Sequence, residues 1–425
     1  MERSKLPLEW SKNLTLYEVN LRQFTDSGTL KEFENHLPRL KEMGIGILWL
    51  MPVQPIGKMN RKGSLGSYYS ISDYTTINPE YGTWDDFVKL IEKAHQMGFF
   101  VILDWVANHT AWDHIWTQSH PEFYHKDKQG NFLAPCPDWQ DVIHLNYEVE
   151  ELREEMIRCM RHWLVEANID GFRCDMAHLV PTSFWEEART ALEKESPVFM
   201  LAETENRDLI EEGFDALYAW KIFHTCDDIA KQRKTVSDLD KLFHSEIELF
   251  PDNRYQMLFT SNHDENSWNG SAIERLGFAL EPMAVLTFTL PGIPLIYSGQ
   301  EAACTKRLKF FEKDLIEWKD DKMASLYSLL IHLRKSTPAL WSGRYGGEFV
   351  RIHTTRDHAI LAFIRRKANN QVLVVLNLTG NAQSFGILGD EYADTYANVF
   401  THEAVKLYPN HHFDFQPWEY KIFEL

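Results

Sequence analysis

Eight short runs of apolar, β-branched and aromatic residues recur along the 425-residue chain, and they constrain its fold more than any other feature. Longer segments with apolar residues at helical spacing separate many of these runs, as in TWDDFVKLIEKAHQMG at 83–98. Strand and helix that alternate eight times, with almost continuously apolar strands, are typical of a parallel (β/α)8 barrel, the TIM barrel of the α/β class. The predicted strands are LYEVNL from 16, IGILWLMP from 45, FFVILDWV from 99, DGFRCDMA from 170, VFMLAET from 198, ALYAW from 216, YQMLFTSNHD from 255 and IPLIYSGQE from 293.

Two predicted connections are too long to be simple turns. Residues 52–83 follow the second strand and residues 110–144 follow the third, and both are rich in Gly, Pro and aromatic residues. Long structured insertions usually form the rim of a pocket. We therefore predict a short inserted loop subdomain at about 110–144, within a catalytic barrel that spans residues 1–344.

The sequence pattern changes at about residue 345. From there to residue 425, short alternating strands are separated by turn residues, as in HAILAFIRRKANNQVLVVLNLTG. This pattern predicts a separate C-terminal antiparallel β-sandwich domain over 345–425.

Charge and cysteine content limit the partners and the compartment. The chain has 44 Lys and Arg against 62 Asp and Glu, a formal net charge of −18, which argues against nucleic acid or an anionic membrane as a partner. The five cysteines show no paired spacing, and the N-terminal MERSKLPLEWSKNLTLYEV lacks the apolar core of a signal peptide. We predict a cytoplasmic protein, and the sequence does not indicate its oligomeric state.

The fourth predicted strand carries two opposite charges inside an apolar run, IDGFRCDMAH at 169–178. Because side chains alternate faces in a strand, Arg173 and Asp175 share one face, while Phe172, Cys174 and Met176 share the other. A buried ion pair is a weak source of stability, since desolvation can cost more than the attraction returns. The pair is therefore either a satisfied structural contact or part of a site.

Polar residues also lie at the ends of the other predicted strands. Active sites of such barrels collect at the carboxyl ends of the strands. Any one carboxylate there could be an ion-pair partner or a helix cap, but three that end different strands indicate a catalytic mouth. The polar residues at these ends are Asp104, Asn108 and His109 on the third, Arg173 and Asp175 on the fourth, Glu203 on the fifth, and His263 and Asp264 on the seventh.

Four of these strand ends carry motifs that resemble those of a known family. DWVANH, GFRCDMAH, LAETEN and FTSNHDEN, in that order, resemble the four signature regions of the α-amylase family, glycoside hydrolase family 13. The likeness covers nearly the whole chain, including YEVNLRQF on the first strand and LPGIPLIYSGQE at the eighth. It implies that Asp175 is the nucleophile, that Glu203 is the general acid/base, and that Asp264 binds and distorts the sugar whose bond is cleaved.

The same resemblance implies the residues that bind the substrate. Arg173 orients the nucleophile and Asp104 braces that arginine. His109 and His263 hydrogen-bond the sugar, and Tyr69 stacks on it. The predicted function is retaining hydrolysis of α-1,4-glucosidic bonds in malto-oligosaccharides or starch fragments by double displacement.

Several alternatives stay open at this stage. They are an α-glucan transglycosylase, a sucrose- or trehalose-directed enzyme on the same scaffold, and a non-catalytic glycan-binding relative. Many family members carry Lys and His three and four positions after the nucleophile, where this chain has His178 and Leu179, so recognition of the leaving group is expected to differ. We expect no required cofactor; Asn108 matches a common calcium ligand, but no Asp-rich loop of EF-hand type is visible.

Overall fold

The computed structural model describes residues 9–425 and confirms the predicted barrel. The eight strands close into a parallel barrel in which neighbours follow one another in chain order. We number them first to eighth. They span Leu16–Val19, Ile47–Leu50, Phe100–Trp105, Gly171–Cys174, Phe199–Ala202, Ala216–Tyr218, Tyr255–Leu258 and Ile293–Tyr297.

Helices of varied length separate the strands and flank the inserted loops. Local signals set their ends: Thr83 and Asp86 form a reciprocal cap at the start of Trp84–Gln96, and Gly98, at φ 77°, follows its end. The α-helices are Leu21–Phe24, Leu30–Glu34, Leu37–Met43, Trp84–Gln96, Trp116–Ser119, Glu150–Glu166, Thr182–Leu192, Asp208–Glu212, Trp220–Ala230, Val236–Phe243, Ala272–Leu276, Leu280–Thr289 and Lys322–Ser336. Short 3-10 turns span Glu9–Ser11, Pro121–Phe123, Ala177–Leu179, Gly277–Ala279, Pro338–Leu340 and Gly343–Tyr345, and π-helical turns span His244–Glu248 and Glu265–Asn269.

The fourth strand is shorter than the sequence pattern predicted. It ends at Cys174, and Met176 adopts a left-handed backbone conformation at φ 42° instead of continuing the strand. At the other end of this strand, Gly171 packs so closely that a Cβ atom would lie 2.0 Å from the carbonyl oxygen of Phe199. Asp175 therefore lies just beyond the strand's carboxyl end.

The insertion after the third strand is built on a two-stranded antiparallel sheet. His109–Ala111 pairs with Val142–His144, so that His109 lies opposite His144. The helix Trp116–Ser119 and the 3-10 turn Pro121–Phe123 lie between the two strands in the chain.

Antiparallel sheets follow the last long helix, as the alternating pattern predicted. Apolar residues of both sheets, such as Ile364 and Leu373 on one and Phe385 and Phe413 on the other, belong to one buried cluster, which makes this region a sandwich. The larger sheet has six strands in the order Glu348–Ile352, Ile360–Lys367, Asn370–Asn377, Tyr420–Glu424, Thr395–Asn398 and Ala404–Lys406, and the smaller one pairs Gln383–Gly386 with His412–Phe415.

The chain divides into two compact units. One comprises residues 16–218 and 307–317, and it contains the first six barrel strands and the insertion. The other comprises residues 9–15, 219–306 and 318–425, and it contains the last two barrel strands and the C-terminal sheets. The predicted domain boundary at 344 and 345 stays a prediction. None of the helices within residues 9–425 is long and apolar enough to cross a membrane.

Candidate active site

The guanidinium of Arg173 joins three carboxylates. Arg173 is fully buried on the fourth strand, and its Nη1 donates to Oδ1 of Asp104 at 2.8 Å and to Oδ1 of Asp175 at 3.0 Å. Its Nη2 lies 2.8 Å from Oε2 of Glu203, but off the N–H direction, so this contact is an ion pair and not a hydrogen bond. One cation thus sits beside the carboxylates that end the fourth and fifth strands.

The charge state of Arg173 follows from these neighbours. Burial alone disfavours the charged guanidinium, but the carboxylates of Asp104 and Glu203 outweigh that effect and raise the pKa of Arg173 well above its ordinary value. Arg173 is therefore a permanent cation in this cluster.

Aromatic side chains hydrogen-bond Asp104 and Arg173. Oδ2 of Asp104 accepts hydrogen bonds from Nε1 of Trp49 at 3.1 Å and from the hydroxyl of Tyr69 at 2.9 Å. Nε of Arg173 donates to the hydroxyl of Tyr218 at 3.0 Å. The sequence analysis missed Trp49 and Tyr218, although they lie near the ends of the second and sixth strands, where inspection of those strand ends would have found them. Nε and Nη1 of the guanidinium and both oxygens of Asp104 are thus hydrogen-bonded to side chains that are themselves buried.

Backbone contacts fix Asp175 and Glu203. The amide of Asp175 donates to the carbonyl of Trp105 at 2.9 Å, and that of Glu203 donates to the carbonyl of Cys174 at 3.0 Å. The left-handed turn at Met176 also directs its amide N–H to Oε2 of Glu203 at 2.9 Å. The side chains of Asp175 and Glu203 keep 10% and 8% exposure, so a ligand can still reach them.

His109 lies in the same unit and is buried and uncharged. Its ring hydrogen-bonds the backbone of Tyr69, and Nδ1 lies 3.3 Å from the side-chain amide nitrogen of Asn108. Burial, with a smaller contribution from His144, lowers the pKa of His109 to about 3. A neutral imidazole offers one donor and one acceptor, which suits binding of sugar hydroxyls.

His263 and Asp264 follow the seventh strand, in the other compact unit. Nε2 of His263 lies 3.4 Å from Oδ2 of Asp264, and Nε1 of Trp268 donates to Oδ1 of Asp264 at 3.2 Å. The π-helical turn Glu265–Asn269 brings Trp268 back to Asp264. The side chain of Asp264 is 40% exposed, far more than those of Asp175 and Glu203. The roles that the resemblance assigns to all these residues stay predictions.

The sequence left calcium open, with Asn108 as a candidate ligand. Within residues 9–425, no group of three or more His, Cys, Asp or Glu side chains could hold a metal ion. The buried side-chain oxygen of Asn108 has no hydrogen-bond partner in the protein, and calcium takes six to eight oxygen ligands from carboxylates, amide and backbone carbonyls and water. The expectation about calcium stays a prediction, and we assign no step to a metal.

Comparison with known proteins shows the family. The model of the alpha amylase catalytic domain matches residues 17–141 and 137–342. The chain belongs to the α-amylase family, glycoside hydrolase family 13. It is a glycoside hydrolase of the barrel type that its motifs predicted.

Three relatives illustrate the range of activities near this chain. The solved structure of the maltogenic alpha-amylase AmyB from Thermotoga neapolitana superposes on this chain with a TM-score of 0.90. The two sequences are 30% identical, and the match covers 97% of this chain and 98% of that protein. Alpha-amylase 3 of Dictyoglomus thermophilum is 27% identical over 88% of this chain and 87% of its own length. A maltosyltransferase of Salinibacter ruber, which uses α-1,4-glucan and maltose 1-phosphate, is 26% identical over 87% of this chain and 60% of its own length.

Proposed function

We propose that this enzyme is a retaining hydrolase of α-1,4-glucosidic bonds in malto-oligosaccharides or starch fragments. The observation that carries the proposal is the placement of Asp175 and Glu203 on neighbouring nitrogens of one buried guanidinium. In a retaining enzyme, two carboxyl groups about 5 Å apart act on one anomeric carbon. A shared cation holds two such groups side by side before the substrate arrives.

The first chemical step breaks the glycosidic bond. A carboxylate oxygen of Asp175 attacks the anomeric carbon, while the protonated Glu203 gives its proton to the departing glycosidic oxygen. The products of this step are a sugar ester of Asp175 and a leaving sugar with a free hydroxyl. Arg173 donates to Oδ1 of Asp175, and this hydrogen bond fixes the orientation of the attacking carboxylate.

The second step releases the bound sugar. Glu203, now ionised, takes a proton from water as the water oxygen attacks the anomeric carbon, and the ester bond to Asp175 breaks. Two inversions give net retention of the α configuration. Asp264 keeps its predicted role of binding and distorting the sugar. The same sugar is predicted to contact His109, His263 and Tyr69.

The alternative function is transfer of the bound sugar to a second sugar. The similarity to a maltosyltransferase supports this alternative. The same Asp175 ester would then be attacked by a sugar hydroxyl instead of water. Both reactions use identical catalytic residues, so only the products separate them.

Incubation with maltoheptaose tests the proposal. We expect shorter products only, with the first-formed reducing ends in the α configuration by NMR. Glu203→Gln should lower the rate by about 10²- to 10⁴-fold, as expected for loss of a general acid, and Asp175→Asn should also lose activity. Glu205→Gln, a matched change two residues further along, should retain the activity.

Two outcomes would contradict the proposal. Products longer than maltoheptaose would identify a transglycosylase, and β-configured first products would exclude retention. Sucrose and trehalose, as parallel substrates, test the remaining alternative.

A further inference from the structure

The segment Arg307–Glu317, which we call the strap, is fixed to the short helix Leu21–Phe24 after the first strand by one buried glutamine. Nε2 of Gln23 donates to the carbonyls of Lys309 at 2.9 Å and Glu312 at 2.7 Å, and its Oε1 accepts from the amide of Asp314 at 2.6 Å. The backbone carbonyl of Gln23 also accepts from the amide of residue 316 at 3.0 Å. Gln23 is fully buried, so water does not compete for these bonds.

A second set of contacts fixes the strap to the loop after the second strand. Nη1 of the buried Arg22 donates to the carbonyl of Gly66 at 2.9 Å and to that of Phe310 at 3.3 Å. The amide of Leu65 donates to the carbonyl of Phe311 at 3.0 Å. The backbone is thus bonded at residues 309 to 312, on both sides of Phe310 and at Phe310 itself.

The ring of Phe310 lies against two tyrosines of the neighbouring loop. It stacks on Tyr69 with ring centroids 6.2 Å apart and an interplanar angle of 18°, and it meets Tyr68 edge to face at 5.5 Å. The hydroxyl of Tyr69 donates to Asp104, which in turn accepts from Arg173. A continuous set of contacts therefore runs from the strap to the guanidinium beside the catalytic carboxylates.

We propose that Phe310 is a positioning residue that fixes the ring plane of Tyr69. A half-buried aromatic ring stacked on one face of Tyr69 blocks movement of that side chain about its Cα–Cβ bond, so the tyrosine hydroxyl stays on Asp104. The function of the strap is to hold Phe310 in place for this contact. The catalytic consequence rests on the proposed function, in which Tyr69 stacks on the sugar whose bond is cleaved.

The kinetic test is a double-mutant cycle on maltoheptaose. Phe310→Ala should lower kcat/KM by about ten-fold, within the range of couplings between contacting residues. The same change in a Tyr69→Ala background should cost less than about two-fold, because Phe310 acts through Tyr69. Phe311→Ala is the matched control, because this residue belongs to the same strap and its ring centroid lies 5.2 Å from that of Phe310. This change should lower kcat/KM by less than about two-fold.

Phe310→Leu refines the cycle, since a large apolar side chain should restore part of the lost activity. An equal loss from Phe310→Ala with and without Tyr69 would overturn the proposal, because it would show that the phenylalanine acts independently of the tyrosine.

A crystal structure of the Phe310→Ala variant tests the positioning itself, whatever the enzyme acts on. We expect the side chain of Tyr69 to rotate about its Cα–Cβ bond, so that its hydroxyl leaves hydrogen-bond distance of Asp104. An unchanged Tyr69 would overturn the proposal. Failure of the wild-type enzyme to cleave maltoheptaose would instead count against the proposed function, and the crystal structure would still decide the role of Phe310.

Discussion

The carboxylates at the ends of the fourth and fifth strands differ sharply from the one that follows the seventh. Asp175 and Glu203 are almost buried, and both contact Arg173. Asp264 is 40% exposed, and its two oxygens contact His263 and Trp268, the latter itself 53% exposed. The first pair is held by a buried charge, whereas the third carboxylate is itself near solvent and contacts one buried and one exposed side chain.

This difference separates two physical problems. A buried carboxylate loses its hydration, so it needs a cation and fixed hydrogen-bond donors to remain in place. Such preorganised groups can stabilise a transition state without reorganising during the reaction. An exposed carboxylate needs no such compensation, and it can change its orientation as a ligand arrives. We expect the buried pair to contribute to both folding and chemistry, and Asp264 to contribute to chemistry alone.

The largest effect should follow from removal of the shared cation. Arg173→Met leaves Asp104, Asp175 and Glu203 buried without a counter-charge, and breaking such a buried network costs about 3–5 kcal/mol of unfolding free energy. Activity should be lost as well. Urea denaturation and the rate on maltoheptaose measure the two effects.

Arg173→Lys is the matched control for that change. It keeps the charge but loses the planar fork that reaches several oxygens, so its stability should fall between those of the wild type and Arg173→Met. If Arg173→Met lowers the free energy of unfolding by less than about 1 kcal/mol, the buried cluster does not contribute to folding as we expect, and the distinction from Asp264 is wrong.

Asp264→Asn should show the opposite pattern. Loss of its charge should lower kcat on the order of 10²-fold, as for other groups that act on developing charge, whereas the free energy of unfolding should stay within about 0.5 kcal/mol of the wild type. Asp175→Asn, measured beside it, should lose activity and stability together, because it also loses a charged partner of Arg173. Equal stability losses in the two variants would remove the distinction between the sites.

Low pH should destabilise the folded protein through two buried histidines in the unit that contains Asp175. Burial lowers the pKa of His109 and of His114 to about 3. Between pH 6.5 and 3 the unfolded chain takes up protons that the folded protein does not, so each group lowers stability by about 1.4 kcal/mol per pH unit as the pH falls, and neither contributes above pH 6.5.

His114→Asn tests this pH dependence away from the predicted substrate contacts. The slope of unfolding free energy against pH between 6.5 and 4.5, from urea denaturation, should become flatter than that of the wild type. The exposed His402→Asn serves as the control and should leave the slope unchanged. An unchanged slope in His114→Asn would contradict the prediction.

Much of the buried cluster could be predicted from the sequence because its positions depend on regular structure. Alternation along the fourth strand placed Arg173 and Asp175 on one side, and the structure joins them. The rule that barrel strands present their carboxyl ends at one rim brought Asp104 and Glu203 into the same set, and both contact Arg173. The resemblance added Tyr69, whose hydroxyl reaches Asp104.

Contacts made by irregular segments could not be predicted in this way. The position of Phe310 depends on bonds between the strap and residues nearly 290 positions earlier, such as Gln23, and no periodic pattern encodes them. The contact of Trp268 with Asp264 depends on a π-helical turn, which has no simple sequence signal. The left-handed conformation of Met176 could not be predicted either, because a non-glycine residue seldom adopts it.

The smallest predicted effect concerns Trp268, and it tests the assumption that Asp264 is held loosely. Trp268→Phe keeps an aromatic ring but removes the indole N–H that donates to Oδ1 of Asp264 at 3.2 Å. A partly exposed hydrogen bond to a carboxylate contributes on the order of 1 kcal/mol, so kcat/KM on maltoheptaose should fall by no more than about five-fold. Trp268→Ala, which also removes the ring, should lose more if that ring packs against the sugar. A loss in Trp268→Phe as large as that in Asp264→Asn would show that the indole fixes the carboxylate as firmly as Arg173 fixes Asp175. The contrast between a rigid pair and an adjustable third carboxylate would then be wrong.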